Sequence, residues 1–323
     1  MKQLYRALLA SIGFGAIAAS ALAQTAFPPP QWAFPIDPPG KHEKAGDGQL
    51  LHLAGSEAAY TPTQLDDLFA PPDWYPGDHP PMPGLVAHGA QPMVFACGFC
   101  HMPNGAGRPE NARLAGLKAA YIIRQVQDFM RGTRRTVQPA HKPSMSMMAL
   151  AQQAAFDPGL AEAAAYFASL KPVPLIKVVE TAVVPKTEIS HWVFKKSAAG
   201  GSEPIGDRII EMPDDFARFE MRDERVTFTA YAPVGSLKKG QLLVITGGGK
   251  THACTQCHGA DLRGFGNAPP LAGRSPGSLA RQIFNFQAGA RQGDFAAVMK
   301  PVVAKLTIDD VVAITAYLAA QKP

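Results

Sequence analysis

Cysteine is scarce in this chain: four in 323 residues, too few to staple a fold of that length with disulfides. Aromatic residues make up 8% and charged residues 18%, whereas 46% of the chain is apolar, so a sizeable core can form and disorder as a class is excluded. Beyond residue 23 no run approaches the roughly 18 continuous apolar residues of a membrane span. What is abundant is turn chemistry, with 30 glycines and 30 prolines in no collagen-like period, so much of the backbone is loop and large regular sheets are not expected. The length implies two domains rather than one.

The first 23 residues carry Lys2 and Arg6, an apolar stretch over 7–22, and small residues at Ala21 and Ala23. That is the pattern of a cleaved secretory signal, and it predicts a periplasmic or secreted chain starting after cleavage near Ala23. No cysteine lies near that point to carry a lipid, and no stable membrane insertion is expected. Charge is segregated along the rest. Residues 84–172 hold nine Lys/Arg against four Asp/Glu, and residues 235–323 ten against four. Residues 24–83 hold two against eight, and residues 173–234 eight against ten. Basic modules therefore alternate with acidic chain, and nothing in the pattern calls for a nucleic-acid partner.

The four cysteines occur as Cys97 and Cys100 followed by His101, and Cys254 and Cys257 followed by His258. Both are C-x-x-C-H, and they lie 157 residues apart. The same offset relates Leu114, Ala115 and Gly116 to Leu271, Ala272 and Gly273. It also relates Gln125, Phe129, Gly132 and Arg134 to Gln282, Phe286, Gly289 and Arg291, so the chain contains two copies of one module. The copies end on Ala165, Tyr166, Lys171, Pro172 and Ala316, Tyr317, Lys322, Pro323, at an offset of 151. The resulting division is a signal over 1–23, an acidic proline-rich extension over 24–83, a first module over 84–172, a linker over 173–234 and a second module over 235–323.

Each copy reads as helix, C-x-x-C-H, long loop, helix, loop, helix. Tyr121, Ile122, Val126 and Phe129 fall near helical spacing, and Leu279, Ile283 and Phe286 repeat the pattern. Thr307 is the expected N-cap of the last helix, with Asp309 and Asp310 suited to its dipole. In the extension Thr61, Pro62 and Gln64 predict one short capped helix. The linker carries β-like patches over 175–184 and 226–231, and at some sixty residues it is too long for a simple tether, so it is expected to pack on the modules.

Two thiols three residues apart can add across the two vinyl groups of one haem, and the next residue then presents an imidazole to the iron. The predicted cofactors are accordingly two covalent haem c groups, on Cys97, Cys100 and on Cys254, Cys257, with His101 and His258 as axial ligands. A closed zinc site would need a second Cys/His pair in each copy, which neither has, and a thioredoxin-like site would need a βαβ setting. The glycine run 247–249 before Lys250 and Thr251 lacks the first glycine of a phosphate loop, Val244 standing there, and reads as loop. His42, His52, His79, His88, His191 and His252 show no partner spacing and read as surface or core residues.

The short helix before C-x-x-C-H, the Leu-Ala-Gly turn, the helix ending in Phe-x-x-Gly-x-Arg, a methionine and a final helix with Ala-Tyr resemble a class I cytochrome c, and the whole resembles a secreted dihaem member of that family. The resemblance covers 84–172 and 235–323. It implies a mainly α fold: two cytochrome c-like helical domains joined by a long, partly extended linker, with a proline-rich N-terminal extension. The family's sixth iron ligand is a methionine. In the second copy that position falls on Met299, the only methionine after Cys254, followed by Lys300 and Pro301. In the first copy Met145, Met147 and Met148 compete. Counting back from Tyr166 as from Tyr317 to Met299 gives Met148, while Leu150, matching Val302, gives Met147. Met147 is preferred and Met148 is the close alternative.

Two protein ligands on each iron leave no open position for substrate, which favours an electron carrier over an enzyme. The expected partners are a periplasmic dehydrogenase as donor and an oxidase, another cytochrome or another high-potential acceptor. The alternatives are a dihaem cytochrome c peroxidase-like enzyme and a cytochrome subunit of a periplasmic dehydrogenase.

Overall fold

The computed structural model describes residues 29–40, 46 and 48–323; the expected signal segment over 1–23, with its cleavage point near Ala23, lies outside the described residues. Among those described, twelve α-helices are accompanied by nine short strands, and the largest sheet has three of them. The fold is mainly helical.

After a two-stranded ribbon, β1 (Leu51–His52) with β2 (Ala59–Tyr60), comes α1 (Pro62–Leu65). Its start is a reciprocal capping box, with Gln64 N–H donating to the Thr61 hydroxyl and Thr61 N–H donating to the Gln64 side chain. The first helical group follows: α2 (Gly84–Ala87), α3 (Cys97–His101), α4 (Ala119–Met130), α5 (Lys142–Ala154) and α6 (Leu160–Ser169). Ile122 and Val126 of α4, Ala151 of α5 and Ala163, Ala164 and Phe167 of α6 share one core with Leu85 and Val86.

Residues 173–234 form β3 (Ile176–Glu180), β4 (Val183–Pro185), β5 (Thr187–Ser190), β6 (Val193–Lys196), β7 (Ser202–Pro204), β8 (Ile210–Pro213), α7 (Phe216–Glu220) and β9 (Phe228–Ala232). β9 pairs parallel with β3 and antiparallel with β8, while β4 with β7 and β5 with β6 make antiparallel pairs. The strands are short and turn-bounded. This segment is folded onto the helices: Ile210, Met212, Ala230 and Ala232 are buried in the same core as Leu279, Val311 and Ile314.

The second helical group is α8 (Ser236–Thr246), α9 (Thr255–His258), α10 (Pro276–Gln287), α11 (Ala296–Val303) and α12 (Ile308–Ala319). α8 crosses α12 at Gly240, where an added Cβ would come within 2.1 Å of the Ala313 carbonyl oxygen, so only glycine permits that approach. The counterpart of α8 in the first group, α2, is a single turn of four residues, so the two copies differ most at their first helix. The 29–83 region is also packed rather than trailing. Trp32, Ala33 and Phe34 are buried in the core of the second group, and Leu53, Leu65, Trp74 and Tyr75 form a small core of their own.

α12 starts on the second reciprocal cap, with Asp310 N–H donating to Thr307 Oγ1 and Thr307 N–H to Asp310. The Asp310 carboxylate, 3% exposed, also receives the ammonium groups of Lys239 and Lys250, tying α8 and the loop after it to α12. Burial pushes its pKa up, but the two lysines and Thr307 outweigh that and hold it well below the usual carboxylate range. Asp310→Ala is expected to lower stability at pH 7 by about 2–3 kcal/mol, a lost cap plus lost charge-assisted hydrogen bonds. Because the folded-state pKa is depressed, this contribution is present above about pH 4 and is lost as pH falls through the folded value. Urea unfolding from pH 7 down to pH 3 should show a gap between wild type and variant that holds to about pH 4 and narrows below it; a gap unchanged at pH 3 would refute the assignment.

Candidate haem sites

α3 and α9 present the two C-x-x-C-H segments with the same local geometry. His101 Nδ1 lies 2.7 Å from the Ala112 carbonyl oxygen and His258 Nδ1 lies 2.7 Å from that of Pro269, at the same eleven-residue reach. A ring nitrogen that donates to a carbonyl fixes the tautomer and leaves Nε2 as the free lone pair. Burial pushes both imidazoles below the ordinary histidine value. The turn Leu114, Ala115, Gly116 bonds back through Ala115 N–H to the Gly105 carbonyl, as Ala272 N–H does to that of Leu262, and Gly116 and Gly273 both take left-handed φ, 75° and 63°.

Both segments open into one cavity of about 1860 Å³. It is lined in the first group by Leu85, Val94, Ile122, Val126, Leu160 and Phe167, and in the second by Leu271, Leu279, Ile283, Phe286, Val303 and Ile314. A single small-molecule pocket measures roughly 300–1,000 Å³, so the volume suits two large apolar groups. Burial pushes the Cys97 and Cys254 thiols up, to about 12 and about 11, which disfavours thiolate and hence zinc, and suits sulfurs that end as thioethers on an apolar ring.

Met147 on α5 and Met299 on α11 both line the cavity. Met148 is not among the lining residues, and Met145 is 38% exposed. α11 is held by Thr251, whose hydroxyl donates to the Val302 carbonyl, and by Gln287 Nε2, which donates to the carbonyls of Val303 and Leu306 at 2.8 Å each. His141 is fully buried against Phe34 at the start of α5 and does not line the cavity.

Between the two halves lies a set of arginines, of which Arg134 and Arg291 are repeat markers in the sequence and Arg113 and Arg274 carry no sequence signal. Gln125 Oε1 accepts from Arg134 Nη1 at 2.9 Å and from Arg291 Nη2 at 2.7 Å. Gln282 Oε1 accepts from Arg134 Nη2 and from Arg291 Nη1, both at 3.2 Å. Residues related by the 157-residue offset thus form a crossed quartet, with Arg134 stacked on Phe129 and Arg291 on Phe286. Arg113 donates to the carbonyls of Ala272 and Gly273, and Arg274 donates back to that of Arg113. Burial first, and then Arg291, pull Arg134 down to about 9; burial first, and then Arg274, pull Arg113 down to about 9. Guanidinium groups that face one another in a largely enclosed site call for anions, a role that haem propionates would fill. The residues present therefore fit the group.

No protein-family model matches the chain. It is 26% identical over 238 residues to cytochrome c4 of Azotobacter vinelandii, covering 72% of this chain and 87% of that one. It is 28% identical over 235 residues to the thiosulfate dehydrogenase electron acceptor of Thiomonas intermedia, covering 72% and 81%. Over 74 residues it is 35% identical to cytochrome c-554(548) of Halomonas halodenitrificans, covering 23% of this chain and 89% of that one. A solved structure of reduced cytochrome c4 from Pseudomonas stutzeri, 23% identical, aligns with a TM-score of 0.43 over 70% of this chain and 93% of that chain. The chain belongs to the dihaem class I cytochromes c. Within them it is a cytochrome c4-like electron carrier. Among the described residues no helix is long and apolar enough to cross a membrane.

Proposed function

We propose that this is a periplasmic electron-transfer protein with two covalent haems c, one on Cys97 and Cys100 and one on Cys254 and Cys257, folded as cytochrome domains over 84–172 and 235–323. His101 and His258 serve as proximal ligands, Met147 and Met299 as distal ligands. The observation that carries the reading is the single cavity lined from both copies by the same constellation: two cysteines, a tautomer-fixed histidine, the leucine of the Leu-Ala-Gly turn and a methionine. Bound haem supplies a one-electron ferric/ferrous couple. The chain's residues set the rest: the Ala112 and Pro269 carbonyls orient the imidazoles, the apolar walls exclude water, and the arginines between the halves offset propionate charge.

Methionine ligation raises the potential, so electrons pass from a dehydrogenase toward an oxidase or another high-potential acceptor. Relatives described as thiosulfate dehydrogenase electron acceptors support a sulfur-compound dehydrogenase as the donor. A methionine lining the cavity in each copy speaks against a peroxidase, whose reactive haem needs an open distal face. The test is optical. The oxidised protein is expected to show the weak near-infrared band of sulfur–iron ligation at two-site intensity, Met299→Ala and Met147→Ala each removing half, Met148→Ala removing none. A Met148 variant that loses half the band would move the ligand by one residue, and rapid peroxide turnover by the reduced protein would replace the carrier reading with the enzyme.

A further inference from the structure

Behind the first helical group, Asp73, His79 and Glu224 converge from segments up to 151 residues apart, their donor atoms all within 4.8 Å of one another. His79 Nε2 stands 3.3 Å from Asp73 Oδ1. That is the edge of a tetrahedron built on metal bonds of about 2.0–2.1 Å. His79 Nδ1 lies 2.8 Å from the Pro80 carbonyl oxygen, so the ring's proton is engaged there and its other lone pair faces two carboxylates.

Glu224 is the decisive residue. It is 2% exposed, and neither carboxylate oxygen makes a well-formed hydrogen bond, the Tyr75 backbone amide being a weak neighbour only. A buried carboxylate without a counter-charge is costly, and the nearby cations are committed elsewhere: Arg218 pairs with Asp223 and Arg225 with Asp78. The surrounding frame is rigid. Asp73 exchanges two 2.9 Å hydrogen bonds with the Tyr60 hydroxyl, through its own N–H and carbonyl, and the Glu224 carbonyl accepts from Asn104 Nδ2 at 3.2 Å. The His79 side chain is 2% exposed and that of Asp73 20%, an edge open enough for an ion and its water to enter.

We propose that Asp73, His79 and Glu224 bind one divalent cation of the zinc type, which pins the 48–83 region to the 173–234 segment against the first haem domain. Two carboxylates balance the dication while the imidazole stays neutral. One nitrogen donor with two oxygens selects a borderline transition ion over Ca²⁺ or Mg²⁺, which take oxygen ligands. The competing state is a proton in place of the ion, since burial and the Asp73 carboxylate push Glu224 up to about 8.

The test uses untagged protein carrying both haems, stripped with chelator and titrated with Zn²⁺. One equivalent is expected to bind and to raise the melting temperature, Mg²⁺ failing to compete. His79→Ala and Glu224→Gln, with unchanged haem spectra, are each expected to weaken binding by more than about 100-fold and to abolish the thermal shift. Zinc-edge absorption on the wild type reads the ligands without any variant, and should show nitrogen and oxygen at about 2.0–2.1 Å and no sulfur. No uptake by the wild type, or uptake unaltered in both variants, overturns the proposal. A Glu224→Gln protein more stable than wild type at every zinc concentration assigns the site to a proton.

Discussion

Cys254→Ala combined with Cys257→Ala is expected to give a protein with one covalent haem whose second helical group has lost fixed tertiary packing. The cavity of about 1860 Å³ is otherwise walled by the residues that would have to collapse into it. Taking half of that volume at about 24 cal/mol per Å³ gives a penalty on the order of 20 kcal/mol, more than the roughly 5–15 kcal/mol that holds a whole domain folded. The effect should also cross the interface, because Arg113 rests on the carbonyls of Ala272 and Gly273, and Arg134 on Gln282. Intact mass should show a single haem addition, near-ultraviolet circular dichroism should fall by about half, and the remaining Soret band should shift. A variant with native dichroism and an unshifted Soret band would mean that the second group holds its shape without haem, and the cavity penalty would be refuted.

C-x-x-C-H is a local signal: three residues of two types within five positions are enough to predict attachment and the proximal ligand together. The repeat was legible for a related reason, since each module buries equivalent side chains at equivalent spacing. Gln125, Arg134, Gln282 and Arg291 could be matched in pairs, but their crossed bonding across the two copies has no local signal. Trp32, Ala33 and Phe34 give no periodic pattern in their proline-rich surroundings, yet they sit in the core of the second group, and the Ala33 carbonyl accepts from Arg281. His79 read as partnerless because Glu224 lies 145 residues further on. Gly240 carries no local signal, because what requires it is the approach of α12. In each case what was missed is a long-range pairing, while what was found is carried by neighbours in the chain.

Arg134→Gln and Arg291→Gln are each expected to lower the reduction potential of the haems, and by the sign of one argument. The two guanidinium groups are half-buried, each bonded to a glutamine of either copy, and Arg134 faces Arg291 more directly than any carboxylate. Such groups remain charged, because even a value near 9 leaves Arg134 protonated at pH 7. Positive charge near an iron disfavours the ferric state, so its removal makes the haem easier to oxidise. For a charge on the order of 10 Å from the iron at an effective dielectric of about 20 the interaction is about 1.7 kcal/mol, or roughly 70 mV for one electron. Because each arginine reaches both glutamines, both potentials should move, and the double variant should show less than the sum of the single shifts. Spectroelectrochemical titration reads this directly. A shift confined to one haem would mean that the quartet does not couple the halves; potentials unchanged within about 10 mV in folded protein would mean that the arginines are neutralised by something other than the cofactor propionates.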